Sequence, residues 1–295
     1  MRDAFRCCCS VSNAAAVALS LISAVALGQV DDGAAGEGDG AKPTRLQRYW
    51  EDLKDDIYVG VQVSFSQDPY VGDDVDILPL PRPERLEDYV FNDDIFSVRE
   101  RLAWWRVHDP EDSPFEFALV GLLDTRRYNA SNLEFFEGMD DRKFTLAGGM
   151  GAAWRGDGVF VEAWGVTDWL ERSEGQTYAV SLGFPRKFFD GRLEVVPHVD
   201  VIRDSPSVVN YYYGVRREEA TPERPQFEGE ASNTLRLVTR GSYRFARCWA
   251  LTGRFIADFL DDAVTDSPLV DRDFVWSGNV SFVRRLRCGK KPETP

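Results

Sequence analysis

The sequence predicts an all-β protein, an antiparallel transmembrane β-barrel of 10–12 strands with short periplasmic turns and longer external loops. Two observations predict this fold. Apolar and polar residues alternate with a period of two in successive segments of about 9–11 residues, the length at which a tilted strand crosses a bilayer. Short and long connections then alternate along the chain, as they do between the two ends of an outer-membrane barrel.

The alternation is clearest in segments such as Ile57–Phe65 and Tyr178–Phe184, where every second residue is apolar or aromatic. A soluble β-sandwich would show the same pattern, with its apolar face turned inward instead of toward lipid. Ten strands emerge, one of them across Phe96–Trp105, where Glu100 interrupts the apolar row. A further hairpin within Val75–Asn92 would raise the count to twelve.

The lengths of the connections favour the barrel over the sandwich. The short ones are His108–Pro114, Arg155–Gly158, Pro185–Gly191 and Ala246–Cys248. The longer ones are Gln67–Asp93, Arg127–Arg142, Ser205–Asn233 and Asp261–Asp273. A sandwich gives no reason for such an alternation, whereas a barrel has short periplasmic turns and long external loops. An even number of strands would place both chain ends in the periplasm.

The N-terminus predicts export. Arg2 and Arg6 form a basic start, Ala14–Leu27 is apolar, and cleavage is predicted after Gly28 or after Ala26. The predicted organisation is a signal peptide over 1–28, a disordered linker over 29–43, a short periplasmic helix over 44–55, a barrel over 56–287 and a C-terminal tail over 288–295.

Composition excludes some classes of function. With 49 acidic and 35 basic residues the net charge is -14, so no basic field is available to displace the counterions of a nucleic acid. A mean hydropathy of -0.33 argues against a bundle of transmembrane helices. Aromatic residues make up 13% of the chain, which fits the aromatic girdles of a membrane barrel.

The polar face of the predicted strands points into the barrel interior. The residues predicted to line it are Glu116, Asp124, Glu194, His198, Asp200, Arg236, Arg240, Arg244, Arg254 and Asp258. Opposite charges on neighbouring strands can pair there, so a plugged interior and an open pore both fit the pattern. In a pore, the arginine row on one strand would favour anions. No catalytic, cofactor-binding or regularly spaced metal-binding motif occurs in the sequence.

Several motifs carry a family resemblance. Tyr211, Tyr212, Tyr213, Gly214 and Val215 match a Tyr-Phe-Gly-Val sequence that precedes a long loop. A second loop carries the most specific motif, which consists of Asp266, Ser267, Pro268, Leu269 and Val270. Through these motifs the chain resembles the MipA/OmpV family, the MltA-interacting protein family of outer-membrane β-barrels, from about Ile57 to Leu286. One departure is that Leu286 occupies the place of the usual terminal aromatic residue.

The resemblance implies a non-enzymatic barrel in the outer membrane that acts as a scaffold for murein (peptidoglycan) hydrolase and synthase assembly. The implied partners are outer-membrane lipid and, in the periplasm, a lytic transglycosylase and a murein synthase. Two other functions stay open, a small-solute channel of the porin type and a surface adhesin that binds through its long loops. A lipid-modifying enzyme would need a serine and a histidine within hydrogen-bonding distance of each other.

Two of the five cysteines would remain after removal of the signal peptide, Cys248 and Cys288. An even pair in an exported chain suggests a disulfide, with two unrelated free thiols as the alternative. In the barrel layout Cys248 lies in the last periplasmic turn and Cys288 just beyond the last strand. A bond between them would pin the C-terminal tail to the barrel rim if their Cα atoms come within about 7 Å.

Overall fold

Antiparallel β-strands make up most of the chain in the computed structural model, which describes residues 57–72, 76–85, 96–99, 102–107, 113–130 and 134–285. The strands are β1 (Ile57–Ser66), β2 (Asp76–Arg85), β3 (Phe96–Arg99), β4 (Leu102–Arg106), β5 (Phe115–Asp124), β6 (Thr145–Gly156), β7 (Val159–Asp168), β8 (Gln176–Gly183), β9 (Arg186–Phe188), β10 (Leu193–Asp204), β11 (Ser232–Ala246), β12 (Trp249–Phe259) and β13 (Phe274–Arg285). The predicted signal peptide, linker, periplasmic helix and C-terminal tail lie outside these residues.

Helical structure is confined to the connections. The helices are α1 (Pro206–Tyr213) and α2 (Asp262–Thr265), with two 3-10 turns, η1 (Glu134–Phe136) and η2 (Arg217–Glu219). Within the described ranges, no helix combines the length and the apolar composition that a membrane crossing requires.

All thirteen strands belong to one sheet, whose order is β2-β1-β13-β12-β11-β10-β8-β7-β6-β5-β4-β3. The short β9 lies off this path and pairs only with β10. Twelve strands therefore follow one another, each antiparallel to its neighbours, and β1 next to β13 brings the two ends of the barrel segment together. The predicted antiparallel all-β fold is confirmed.

The two faces of the sheet have opposite character. Along β8 the odd residues Thr177, Ala179 and Ser181 are buried, whereas Tyr178 and Val180 are half exposed. One face is buried although the described residues contain no second sheet to cover it. The strands curl around a common interior, which is lined by residues of β1, β4, β5, β7, β8 and β10 to β13. The exposed outward rows include Val61, Phe117, Leu119, Met150, Leu182, Val201, Leu237, Phe255 and Val280. Such rows suit contact with lipid hydrocarbon.

From β5 onward the long connections lie at one end of the sheet and the short turns at the other, as predicted, and residues 169–175 are the one short connection at the end of the long loops. We call the end that carries residues 67–75, 125–144, 205–231 and 260–273 the long-loop end. The other end, which carries residues 157–158, 189–192 and 247–248, is the short-turn end.

One detail differs from the prediction. The segment Phe96–Trp105 is not one strand but the hairpin β3–β4, because Arg99, Glu100 and Arg101 place three charges in succession where a crossing strand would need apolar residues on its outer face. Extra strands within Val75–Asn92 are the second predicted alternative, and β2 lies in that segment and pairs with β1 along its whole length.

Three prolines lie along one edge of β2. The amide of Gln67 donates to the carbonyl of Trp276 in β13, so the odd residues of β1 bond to β13 and its even residues bond to β2. Because Pro79, Pro81 and Pro83 register with odd residues of β1, their missing N–H groups lie on the side away from β1. The described residues of β2 and β3 do not pair with each other, and β2 lacks three donors along that free edge.

Candidate functional site

The charged residues predicted to line the interior lie on β5, β10, β11 and β12. Those that are buried are Glu116, Asp124 and His198. Those that are partly buried are Glu194, Asp200, Arg236, Arg240, Arg254 and Asp258. Arg244 differs from this set. Its side chain is exposed at the rim, close to the turn at 247–248, and donates to the carbonyl of Gly191 at 2.8 Å.

Glu116 is the centre of a buried network at the short-turn half of the interior. The guanidinium nitrogens of Arg106 and Arg155 lie 2.9 and 3.1 Å from its two carboxylate oxygens. The indole N–H of the fully buried Trp104 donates to the same carboxylate. Arg155 also contacts Glu162 at 3.1 Å. The network and the indole ring lie buried in this part of the interior, and their mutual contacts offset the cost of burying the charges.

A second set of ion pairs lies toward the long-loop end. Arg236 contacts Asp258 at 2.7 Å across the β11–β12 pair. Arg126, which follows β5, reaches both Asp124 and Asp204 at 2.5 Å. The guanidinium of Arg126 thereby joins the last residue of β5 to the last residue of β10. Its planar arrangement of N–H donors suits contact with two carboxylates.

A chamber of about 250 Å³ lies against the second set, and Asp124, Arg126, Asp204, Arg236 and Asp258 all line it. His198 and Asp200, whose Nε2 and Oδ2 atoms are 3.8 Å apart, form part of one wall. Leu122 and Trp164 contribute an apolar wall, and Tyr213 from the long-loop end also lines the chamber. The interior thus contains a chamber with both polar and apolar walls.

The four long connections at the long-loop end fold together into a structure that we call the cap. Its buried core is Tyr70, Tyr128, Ala130, Phe136, Met139, Val208, Val209, Tyr212, Tyr213, Val215, Val264, Leu269 and Val270. The ring centroids of Tyr128 and Phe136 are 4.6 Å apart, and those of Tyr70 and Tyr128 are 5.2 Å apart. Every one of the four connections contributes to this core, so the cap is a second packed layer over the chamber and not a set of separate loops.

Residues of the two family motifs meet in the cap. The hydroxyl of Ser267 donates to the carbonyl of Tyr213 at 2.6 Å, and the amide of Leu269 donates to that hydroxyl at 3.1 Å. Both Ser267 and Leu269 are buried. Val270 forms an isolated β-bridge with Tyr70. The motif of residues 266–270 therefore also contacts the connection between β1 and β2.

The remaining motif residues shape the backbone around these contacts. The amide of Gly214 donates to the carbonyl of Asn210 at 3.1 Å and ends α1. Val215 pairs with Phe227 through two backbone hydrogen bonds. Asp266 and Pro268 flank Ser267 just after α2, where the amide of Asp266 donates to a carbonyl of that helix.

A buried ion pair fastens two cap connections. Arg142 and Glu219 are both almost fully buried, and their charged groups are 2.9 Å apart. Arg142 also donates to the carbonyl of Tyr211 at 2.7 Å. On the other side Arg224 donates to the carbonyls of Phe135 and Glu219. These arginines satisfy carbonyl groups that the packed loops would otherwise bury without partners.

The environment of the cap shifts its titrating groups. Burial raises the pKa of Tyr128 and of Tyr213 to about 12, and it raises the pKa of Tyr212 further. Burial alone would raise the pKa of Glu219 as well. The hydrogen bond from Arg142 and those from two backbone amides outweigh it and hold the pKa of Glu219 below its ordinary value.

The motif residues and the cap built on them lie inside a region matched by a known family. The profile of the family described as MltA-interacting protein MipA matches residues 59–286. The chain belongs to this MipA family. The match covers every strand from β2 to β13 and all four cap connections.

Individual relatives agree with this membership. The MltA-interacting protein of Escherichia coli (strain K12) is 27% identical over 239 residues, which are 76% of this chain and 86% of that protein. The outer membrane protein OmpV of Vibrio cholerae is 27% identical over 150 residues, 50% of this chain and 57% of that protein. A solved structure of OmpT of Vibrio cholerae covers 78% of this chain and 98% of its own, with 8% identity and a TM-score of 0.35, a likeness too slight to carry an argument. This MipA-family chain is an outer-membrane protein.

Sequence reasoning missed most of the MipA-family cap. Tyr70, Tyr128 and Phe136 lie in predicted external loops, where solvent-exposed polar residues are usual. Their aromatic side chains could have predicted this core, because loops that only face solvent rarely contain several large apolar side chains. Ser205 followed by Pro206 was a second signal, because proline is favoured at the first position of a helix such as α1.

Cys248 lies in the turn between β11 and β12 and is disulfide-bonded. Cys288, its predicted partner, lies outside the described residues, so the pairing stays a prediction. Among the described residues no group of three or more histidine, cysteine or carboxylate side chains is placed to hold a metal ion.

Proposed function

We propose that this MipA-family protein is a non-enzymatic scaffold that holds a lytic transglycosylase and a murein synthase at the periplasmic face of the outer membrane. The relative in Escherichia coli is named an MltA-interacting protein, and the family resemblance implies a lytic transglycosylase as the partner. In this proposal the long-loop end faces outward and the short-turn end faces the periplasm.

The cap is the observation that carries the proposal. It covers the chamber with a buried core drawn from all four connections, and the interior below it holds the Glu116 network with its fully buried Trp104. A barrel filled in this way is suited to present surfaces and poorly suited to pass solutes. The small-solute channel is therefore the less favoured function.

The short-turn end offers a surface on which a periplasmic protein could dock. The β9–β10 hairpin carries Phe188 and Phe189, which are 48% and 64% exposed at its tip. Arg186 and Lys187 precede them in the chain. Exposed aromatic residues next to basic ones are common anchors of protein interfaces.

Photo-crosslinking in intact cells tests this proposal. A photo-reactive amino acid at position 189 should capture a lytic transglycosylase or a murein synthase, identified by mass spectrometry. The matched control is position 218 in the cap, where Glu218 is also exposed, and it should capture neither. Capture of murein enzymes from position 218 alone would contradict the proposed orientation, and their absence from both positions would contradict the scaffold.

Two further measurements separate the remaining alternatives. Deletion of residues 44–54 should leave membrane insertion intact and reduce partner capture, since this predicted helix is our candidate for a second docking element. The purified protein should show no steady conductance in a planar bilayer. A stable conductance from the intact protein would replace the scaffold with the channel.

A further inference from the structure

A pocket of about 520 Å³ opens on the outer surface of the cap, beside the start of β6 and the connection between β7 and β8. Four basic side chains line it, Arg142, Lys143, Arg172 and Arg216. Only two carboxylates, those of Asp140 and Asp141, lie among the lining residues. The pocket therefore has an excess of positive charge in a protein whose net charge is -14.

Both carboxylates of the pocket and two of its four cations already form ion pairs or hydrogen bonds within the protein. Asp140 pairs with Arg216 at 2.6 Å, and Asp141 accepts the backbone amide of Ala130 at 3.0 Å. Arg142 is paired with Glu219 beneath the pocket. These groups build the floor and one side of the pocket.

Lys143 and Arg172 are the two cations left for a ligand. Among the described residues neither of them lies within ion-pair distance of a carboxylate. Arg172 is held in place, because its Nη1 donates to the carbonyl of Phe144 and its guanidinium carbon lies 5.1 Å from the centroid of that ring. Lys143 is exposed. Its backbone amide donates to the hydroxyl of Tyr211 at 3.0 Å, which leaves the phenolic proton available for a ligand oxygen.

The pocket lies at the edge of the apolar outer surface. Trp169 and Leu170, which lie three and two residues before Arg172, are 61% and 43% exposed. The amide of Trp169 donates to the carbonyl of Leu146, another exposed apolar residue of the outward face. An exposed tryptophan beside such a face is typical of the boundary between hydrocarbon and head groups. Because the pocket lies at this boundary, we expect its ligand to be a lipid head group and not a dissolved small molecule.

We propose that this pocket binds a phosphate group on the head group of a membrane glycolipid. Lys143 and Arg172 would contact the phosphate oxygens through charge-assisted hydrogen bonds, and the hydroxyl of Tyr211 would donate a third. Trp169 and Leu170 would contact the acyl chains of the same lipid. The site goes beyond the proposed scaffold, since it lies at the opposite end of the barrel.

Binding of fluorescent bisphosphorylated lipid A to the full-length protein in detergent tests this proposal. Lys143→Gln and Arg172→Gln should each weaken binding about tenfold, the effect of one lost charge-assisted hydrogen bond. Raising the salt concentration should weaken binding of the parent protein as well. Lys143→Gln keeps the test decisive if Arg172→Gln fails to fold, because no described contact involves the Lys143 side chain.

The matched control is Arg203→Gln, which removes an exposed guanidinium near the end of β10, at the same end of the barrel. Its affinity should stay within about twofold of the parent value. Equal binding of lipid A stripped of both phosphates, or unchanged binding by both pocket variants, would overturn the proposal. Inorganic pyrophosphate that binds as tightly as the lipid would overturn the assignment to a membrane lipid.

Discussion

The hydroxyl of Ser267 donates a 2.6 Å hydrogen bond to the carbonyl of Tyr213, which lies 54 residues earlier in the chain. Both residues are buried. The bond joins the end of α1 to the segment that follows α2, and it links the two loop motifs through which the chain resembles its family. These motifs thus belong to one structural element, the cap.

Replacement of Ser267 by alanine should loosen the cap without unfolding the barrel. The substitution leaves the buried carbonyl of Tyr213 without its donor and the amide of Leu269 without its acceptor. We expect a local loss of about 1–3 kcal/mol. Trypsin cleavage after Arg216 or Arg217 should then become about tenfold faster, because it follows the population of the opened cap.

Ser207→Ala is the matched control for this measurement. Ser207 is exposed on α1, so its loss should leave the cleavage rate unchanged. Equal cleavage rates for Ser267→Ala and the parent protein would show that the bond contributes nothing to the stability of the cap.

Acid should destabilise the cap through Glu219. The pKa of this carboxyl is held below its ordinary value in the folded protein. Its contribution is therefore complete above the unfolded-state pKa, about 4.3, and is lost as the pH falls through the lower folded-state pKa. The near-ultraviolet circular dichroism of the cap tyrosines should report the loss below about pH 4.

The variant Glu219→Gln supplies the comparison. It cannot titrate at this position, so its cap should be weaker at neutral pH and less sensitive to acid than that of the parent. It also leaves Arg142 buried beside a neutral partner, which is costly. Identical acid profiles for the two proteins would rule out Glu219 as the group responsible.

Alkaline titration should divide the tyrosines into two groups. Burial raises the pKa of Tyr128 and Tyr213 to about 12, and that of Tyr212 is raised as well. Stability from these phenols is complete below their ordinary pKa, about 10, and is lost as the pH rises through the folded-state values. In an alkaline titration followed by ultraviolet absorbance, the buried tyrosines should ionise in a second phase at higher pH than the exposed ones. Tyr128→Phe should remove one tyrosine from that second phase. A single phase near pH 10 would contradict a packed cap.

The free edge of β2 leads to a further prediction. Pro81→Thr adds an N–H on the side away from β1, where the described residues of β3 offer no partner. An unsatisfied N–H within the membrane should lower the free energy of unfolding by roughly 1–3 kcal/mol. Denaturant unfolding from lipid vesicles measures this change, with Ile77→Thr on the same edge as control. A more stable Pro81→Thr variant would mean that the new donor finds an acceptor in β3.

The strands and their two faces could be predicted from the sequence because both depend on near neighbours. A residue such as Val180 shares its face with residues two positions away, so the period of two is visible without any long-range contact. The same holds for the alternation of short and long connections. Where the local pattern was interrupted, at Arg99 to Arg101, the prediction of a single strand was wrong and the structure has a hairpin.

Only the tertiary structure decided which loops meet. The sequence by itself determined most of the strands and the alternation of their two faces, and it contained the family motifs. It could not show that Arg142 pairs with Glu219, 77 residues away, or that Ser267 bonds to Tyr213. These contacts depend on where the curled sheet brings the ends of β5, β10 and β12. These contacts are stabilising because they are buried among residues that are far apart in the chain. A local sequence pattern does not show which distant residues will bury them.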